Sequence, residues 1–190
     1  MMILSKDYSS PLGKMRLTAD EIGLCGAWFE DQKYFGLLGE DASSDLGIQK
    51  KLDPKDILSC SCTWLDEYFA GRIPSFTPPL HLCGSVFRLE IWEFLRKIPY
   101  GITVTYGEIA KQWKHEHPGR NISFQAVGVA VGHNHVSVIV PCHRVLGANG
   151  ALTGYAGGLY RKQYLLELEK VKFKEKRGSF CKKRSGDRLI

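Results

Sequence analysis

Cys142 and His143 stand side by side in Pro141-Cys142-His143-Arg144-Val145, directly after the apolar run Val136 to Val140. Cysteine attacks as its thiolate, and a nearby imidazole lowers the thiol pKa or takes its proton. The pair therefore fits an activated nucleophile, while inert packing at the end of a core strand fits the same two residues. Neighbours in a strand point to opposite faces, so thiol and imidazole communicate only through a backbone turn or a bridging water. Glu167 and Glu169, further along the chain, are candidates to orient the second imidazole nitrogen. A glycine-rich stretch, Gly147 to Gly158, follows the pair and favours a tight turn or close ligand approach.

The elements that must position these residues fall into two halves. Met2–Asp7, Lys14–Ala19 and Ile22–Glu30 are predicted as an antiparallel meander, with turn signals at Ser9-Ser10-Pro11-Leu12-Gly13 and Asp20-Glu21. Asp53-Pro54 predicts a helix start, carried by Ile57, Leu58, Trp64, Leu65, Tyr68 and Phe69 and stopped at Gly71. A proline-rich linker covers residues 73–81. Beyond it, Ser85 caps a helix ending near Pro99, and Thr105 with Glu108 forms a capping-box signature for another. A polar connection then leads to a small-residue helix over Ser123–Val131, the outline of a helix-turn-helix. Val136–Val140 is predicted as a strand, and Leu159–Glu169 as a closing helix with Tyr164, Leu165 and Leu168 on its apolar side. The expected class is α+β. Residues 1–82 form an N-terminal domain with linker, 83–170 a mainly helical domain, and 171–190 a basic, disordered tail.

The chain has 190 residues, 44% of them apolar, enough for either one ample domain or two small ones. No stretch reaches the roughly 18 apolar residues that span a bilayer, and the N-terminus lacks a signal-peptide pattern. A cytoplasmic protein without membrane contact is expected. The six cysteines are irregularly spaced and read as reduced thiols. Cys60-x-Cys62 and His81-x-Cys83 lack finger spacing, so no metal site is assigned. The net charge is +6, but from Lys170 onward nine Lys and Arg face only Glu175 and Asp187, a balance of +7. That tail reads as a solvated extension; a salt-sensitive phosphate clamp is its functional alternative.

Several motifs together carry a resemblance. Ile98-Pro99-Tyr100-Gly101-x-Thr103-x-Thr105-Tyr106-Gly107-Glu108-Ile109-Ala110 comes first, then Ala126-Val127-Gly128, and then Asn134 with Pro141-Cys142-His143-Arg144-Val145. Gly154-Tyr155-x-Gly157-Gly158 and Leu165-Leu166-x-x-Glu169 complete the series. In order and interval, from about 84 to 170, the chain resembles the O6-alkylguanine-DNA alkyltransferases, or methylated-DNA–protein-cysteine methyltransferases. Its first half resembles their ribonuclease-H-like domain.

The resemblance implies direct-reversal DNA repair without a cofactor by a monomer acting on duplex DNA that contains alkylated guanine, with alkylthymine a further substrate. The helix-turn-helix would enter the minor groove, the damaged base would be flipped out, and its alkyl group would pass irreversibly to cysteine. On matching positions Cys142 is the acceptor, His143 its base, Glu169 the orienting carboxylate and Asn134 the support of the active-site turn. Tyr106 would act on the guanine ring and the flanking phosphate. Tyr155, Ala156, Gly157 and Lys162 map to the pocket, and Ala126, Gly128 and Val145 to the substrate and DNA side. Arg144 maps there too, though as a brace more than a base contact. Gln125 stands where most members place an arginine that fills the gap left by the flipped base, and it lacks that cationic plane. His135 replaces a usual proline, and Ala156 a serine found in some members. Two rival classes differ in chemistry: a lesion-binding relative would lack the acceptor cysteine, and a cysteine hydrolase would turn over.

Overall fold

A computed structural model describes residues 2–38 and 51–174. The first half is a meander of β1 (Leu4–Ser10), β2 (Gly13–Ala19) and β3 (Leu24–Phe29), antiparallel in the order β1-β2-β3. Gly13, with φ +106°, makes the sharp turn into β2 that a side chain would resist. Met15, Leu17 and Ala19 turn their side chains inward, as the alternation requires. Helix α1 (Pro54–Phe69) lies across the sheet, capped by Asp53, whose carboxylate accepts from the Lys55 N–H. Trp64, Leu65 and Tyr68 are its buried anchors.

The second half holds α2 (Val86–Arg96), the two-residue strand β4 (Val104–Thr105), α3 (Tyr106–Glu116) and α4 (Phe124–Gly132). A 3-10 turn (Cys142–Arg144), β5 (Val145–Leu146) and α5 (Leu159–Leu168) follow. Thr105 and Glu108 close the expected capping box around the start of α3. Ser123 caps α4 by accepting from the Ala126 N–H. Trp92 binds α2 to α4 by donating its indole N–H to the Ala130 carbonyl at 2.9 Å. β4 pairs with β5 in parallel, which brings the start of α3 beside the Cys142 turn.

The edge of β3 does not face solvent, which removes an unpaired strand edge. On one stretch Leu24 exchanges hydrogen bonds with Pro79 and His81 of the linker; on the next, Ala27 does so with His135 and Ser137. One apolar core therefore runs from Met15 and Phe29 through Tyr68 to Trp92, Val127 and Val140.

Three expectations are corrected. Val136–Val140 is not a strand: only Val136 bridges to Ala27, Val138 takes a φ of +73°, and the Val140 N–H returns to the Val136 carbonyl. A short apolar run reports burial, which an irregular core segment satisfies as well as a strand. On α5 the buried residues are Arg161, Lys162, Leu165 and Leu166, whereas Tyr164 is exposed. Residues 171–174 pack back on the domain, where Leu152 and Lys174 share a backbone hydrogen bond and Val171 and Phe173 cover Leu146 and Leu166. The expected disordered tail beyond 174 lies outside the described residues. Among the described residues no helix is long and apolar enough to cross a membrane.

Gly23 is where the linker approaches the sheet. A Cβ there would lie 2.6 Å from the Leu80 carbonyl carbon and 2.7 Å from the His81 nitrogen, backbone atoms that cannot rotate away. Gly23→Ala is expected to destabilise the fold by about 1–3 kcal/mol. A lowered urea midpoint with an unchanged m-value would register this; an unaltered midpoint would contradict the close approach.

Candidate active site

The turn the chemistry requires is present. The Cys142 N–H bonds to the Val140 carbonyl and the Arg144 N–H to the Pro141 carbonyl, so Cys142 and His143 leave a tight coil. Asn134 builds it: its carboxamide donates to the Val140 carbonyl at 2.9 Å and to Cys142 Sγ at 3.0 Å, while its oxygen accepts from the Val136 N–H. Cys142 is buried and lines one side of an open cavity of about 440 Å³. Tyr106, Gln125, Gly128, Tyr155 and Ala156 line it too.

Behind the thiol sits a polar core. His143 Nε2 lies 2.8 Å from Glu169 Oε1, and both side chains are fully buried. Arg144 grips the same carboxylate through Nε and Nη2 and donates Nη1 to the Ile98 carbonyl at 2.6 Å. The Gly101 N–H and the Tyr68 hydroxyl also donate to Glu169, at 2.9 and 2.7 Å. Burial alone would raise the Glu169 pKa, but the hydrogen bonds from His143 and Arg144 hold it well below the usual carboxylate range. A carboxylate can only accept, so His143 must carry its proton on Nε2. His143 Nδ1 is then a bare acceptor, buried and without a hydrogen-bond partner among the described residues.

Burial lowers the His143 pKa, against the opposing pull of Glu169. Arg144 already balances the carboxylate, so the neutral imidazole is the resting form. Burial likewise raises the Cys142 pKa, opposed by the Asn134 hydrogen bond, the Lys162 charge and the turn's own N–H groups. The thiol therefore rests protonated beside a neutral base. Burial pushes the Tyr106 hydroxyl up to about 12, keeping it a proton donor. Lys162 is lowered by burial to about 8, yet its ammonium donates to the carbonyls of Val145, Thr153 and Gly154 and stays charged at neutral pH.

The remaining expected residues are not in the cavity wall. Arg144, Val145 and Lys162 lie behind the thiol, where they brace the turn, the β4–β5 pair and the Gly154 loop. Gly157 packs against the Phe29 ring, and Ala126 sits on α4 without lining the cavity. Glu167 pairs with Gln163 and does not reach His143. His135 is buried against Trp92, and burial lowers its pKa to about 4. Cys25 donates to the Thr18 carbonyl, and His81 pairs with Asp20 at 2.6 Å. Among the described residues no group of three or more His, Cys, Asp or Glu side chains is arranged to hold a metal ion.

Comparison with known proteins finds two family matches along the chain. Residues 86–171 match the family "6-O-methylguanine DNA methyltransferase, DNA binding domain", and residues 3–82 match "6-O-methylguanine DNA methyltransferase, ribonuclease-like domain". The chain belongs to the methylated-DNA–protein-cysteine methyltransferase family. It is 39% identical over 173 residues to the Mycobacterium leprae methylated-DNA–protein-cysteine methyltransferase, covering 89% of this chain and 93% of that protein. It is 39% identical over 162 residues to the Methanosarcina acetivorans enzyme of the same name, covering 85% of this chain and 95% of that protein. The crystal structure of Mycobacterium tuberculosis OGT in complex with DNA superposes with a TM-score of 0.68 at 39% identity, covering 87% of this chain and 92% of that one.

Four contributors to this family member's site carry no sequence signal, because each depends on a long-range contact. Tyr68 reaches Glu169 from α1. Lys33 and Tyr34, from the turn after β3, form a cavity wall together with His133 at the end of α4. The Tyr34 ring stacks on His133 at 4.1 Å with Lys33 Nζ 4.8 Å above it, and the Lys33 N–H bonds to the Ala156 carbonyl. Tyr34 takes a φ of +65°, a strained conformation unusual for a non-glycine residue.

Because His143 titrates below its ordinary value of 6.5, the alkyl-transfer rate is expected to stay level through neutral pH. It should fall only in acid as His143 protonates, with a midpoint under 6.5. Single-turnover rates across the acid range test this; a midpoint at or above 6.5 would contradict a neutral, depressed His143.

Proposed function

We propose that this methylated-DNA–protein-cysteine methyltransferase repairs O6-alkylguanine in duplex DNA by moving the alkyl group onto Cys142. One observation carries the assignment: Cys142 lines the cavity, and the residue that follows it in the same tight turn, His143, has a bare Nδ1 and an Nε2 held by Glu169.

The thiol proton passes through a water to His143 Nδ1. The thiolate attacks the alkyl carbon, forming the S–C bond as the C–O bond breaks. The electron pair of that bond returns to the guanine ring, where the Tyr106 hydroxyl supplies a hydrogen bond or proton. Asn134 donates to sulfur throughout and stabilises the thiolate as it forms. The thioether has no leaving group for a second displacement, so each molecule acts once.

A base buried in the duplex cannot reach Cys142, so the damaged nucleotide is extruded from the stack into the cavity. Tyr155 and Ala156 form its walls, with Tyr106 opposite. Helix α4 supports minor-groove docking, because Ala126 and Gly128 are small enough for close approach. Gln125, at the cavity mouth, would hydrogen-bond the orphaned partner base. The partner is double-stranded DNA bearing an alkylated guanine, bound by a monomer in the cytoplasm.

The number of methyl groups removed from an O6-methylguanine duplex should saturate at a single equivalent per protein molecule, and Cys142→Ala should remove none. Continued turnover past that equivalent would favour a hydrolase, and residual transfer by Cys142→Ala would shift the acceptor elsewhere.

A further inference from the structure

Phe124 is 65% exposed at the first position of α4, an unusual place for a large apolar ring. Val127, Ala130 and Val131 turn into the core, so the outward face of this helix is Phe124, Gln125, Gly128 and Val129. The helix carries no charged side chain at all. Its side chains therefore offer a polyanion shape and stacking and no charge pairing.

The Phe124 ring is held in place. Its Cε1 lies 3.9 Å from where a Cβ on Gly107 would stand, so it rests over the first turn of α3, which glycine leaves bare. Ser123 fixes the backbone at this point through its cap. Phe124 also lines a second open cavity of about 470 Å³ that shares Tyr106, Gln125 and Gly128 with the one holding Cys142. Gln125 thus stands at the divide between two hollows, and the Phe124 ring beside it in sequence lines the second. On the base-extrusion mechanism proposed above, the first would receive the extruded base and the second would face the neighbouring base step.

Holding a duplex open requires a group that replaces lost stacking. Glutamine can hydrogen-bond an orphaned base but offers no aromatic or cationic plane. Apolar side chains inserted from the minor groove commonly supply such a wedge.

We propose that Phe124 is the stacking wedge of this protein: its ring inserts beside the extruded nucleotide and stacks on the adjoining base pair, while Gln125 pairs with the orphan base. This rests on the base-extrusion mechanism above and goes further by assigning a residue to the duplex-opening step.

The test compares methyl transfer to Cys142 from the same O6-methylguanine sequence as a duplex and as a single strand, where nothing must be pried apart. Phe124→Ala is expected to lower the duplex rate about tenfold more than the single-strand rate, the size of one lost base–aromatic stack. Phe124→Tyr, which keeps the ring, should hold the ratio of the two rates to within about twofold. An unchanged ratio in Phe124→Ala, or an equal fall in Phe124→Tyr, would overturn the wedge. Transfer to neither substrate by the unsubstituted protein would instead overturn the repair mechanism itself, and the wedge with it.

Discussion

The Glu169 carboxylate is the point on which the site depends. It takes hydrogen bonds from the Tyr68 hydroxyl, His143 Nε2, two Arg144 nitrogens and the Gly101 N–H. These donors come from α1, the Cys142–Arg144 turn and the loop before β4, while Glu169 itself ends α5. A buried charge is tolerable only when fully satisfied, and removing one partner of such a cluster typically costs about 3–5 kcal/mol. The same contacts that lock the two halves together therefore also fix the imidazole.

On the proposed mechanism, that arrangement lets a shielded thiol be stored and still react. Cys142 rests protonated because burial outweighs the donors around it, so stray electrophiles meet a poor nucleophile. The means of activation are nonetheless in place: Asn134 on the sulfur, Lys162 close behind, and His143 with a bare nitrogen. Pre-organised dipoles of this kind need no rearrangement as charge develops. The N-terminal sheet contributes as well, since its turn supplies Lys33 and Tyr34 to the cavity and its edge strand holds Ser137 next to the active-site coil.

Local signals in the sequence were readable wherever one element settles the matter. Asp53 with Pro54, Ser85, and Thr105 with Glu108 start their helices where the pattern places them. The Cys142–His143 pair left nucleophile and inert packing both open, and motif resemblance pointed to the first and supplied Asn134 and Glu169. Legibility failed where distance in sequence intervened. Nothing near Tyr68 marks it as a partner of Glu169, and nothing near Tyr34 marks it as a cavity wall. Arg161 and Lys162 defy the rule that charges face water, because Arg161 pairs with Asp31 and donates to the Leu12 and Gly157 carbonyls, and Lys162 donates to the Val145 and Thr153 carbonyls. Val136–Val140 misled because a buried coil and a buried strand share one composition.

Above all, Glu169 fixes the protonation of His143. Side-chain 15N NMR of the imidazole, assigned against a His143→Gln variant, measures this directly at neutral pH. A neutral ring protonated on Nε2, with Nδ1 unprotonated, is the predicted state. An imidazolium, or a ring protonated on Nδ1, would leave no acceptor for the Cys142 proton and would contradict the account.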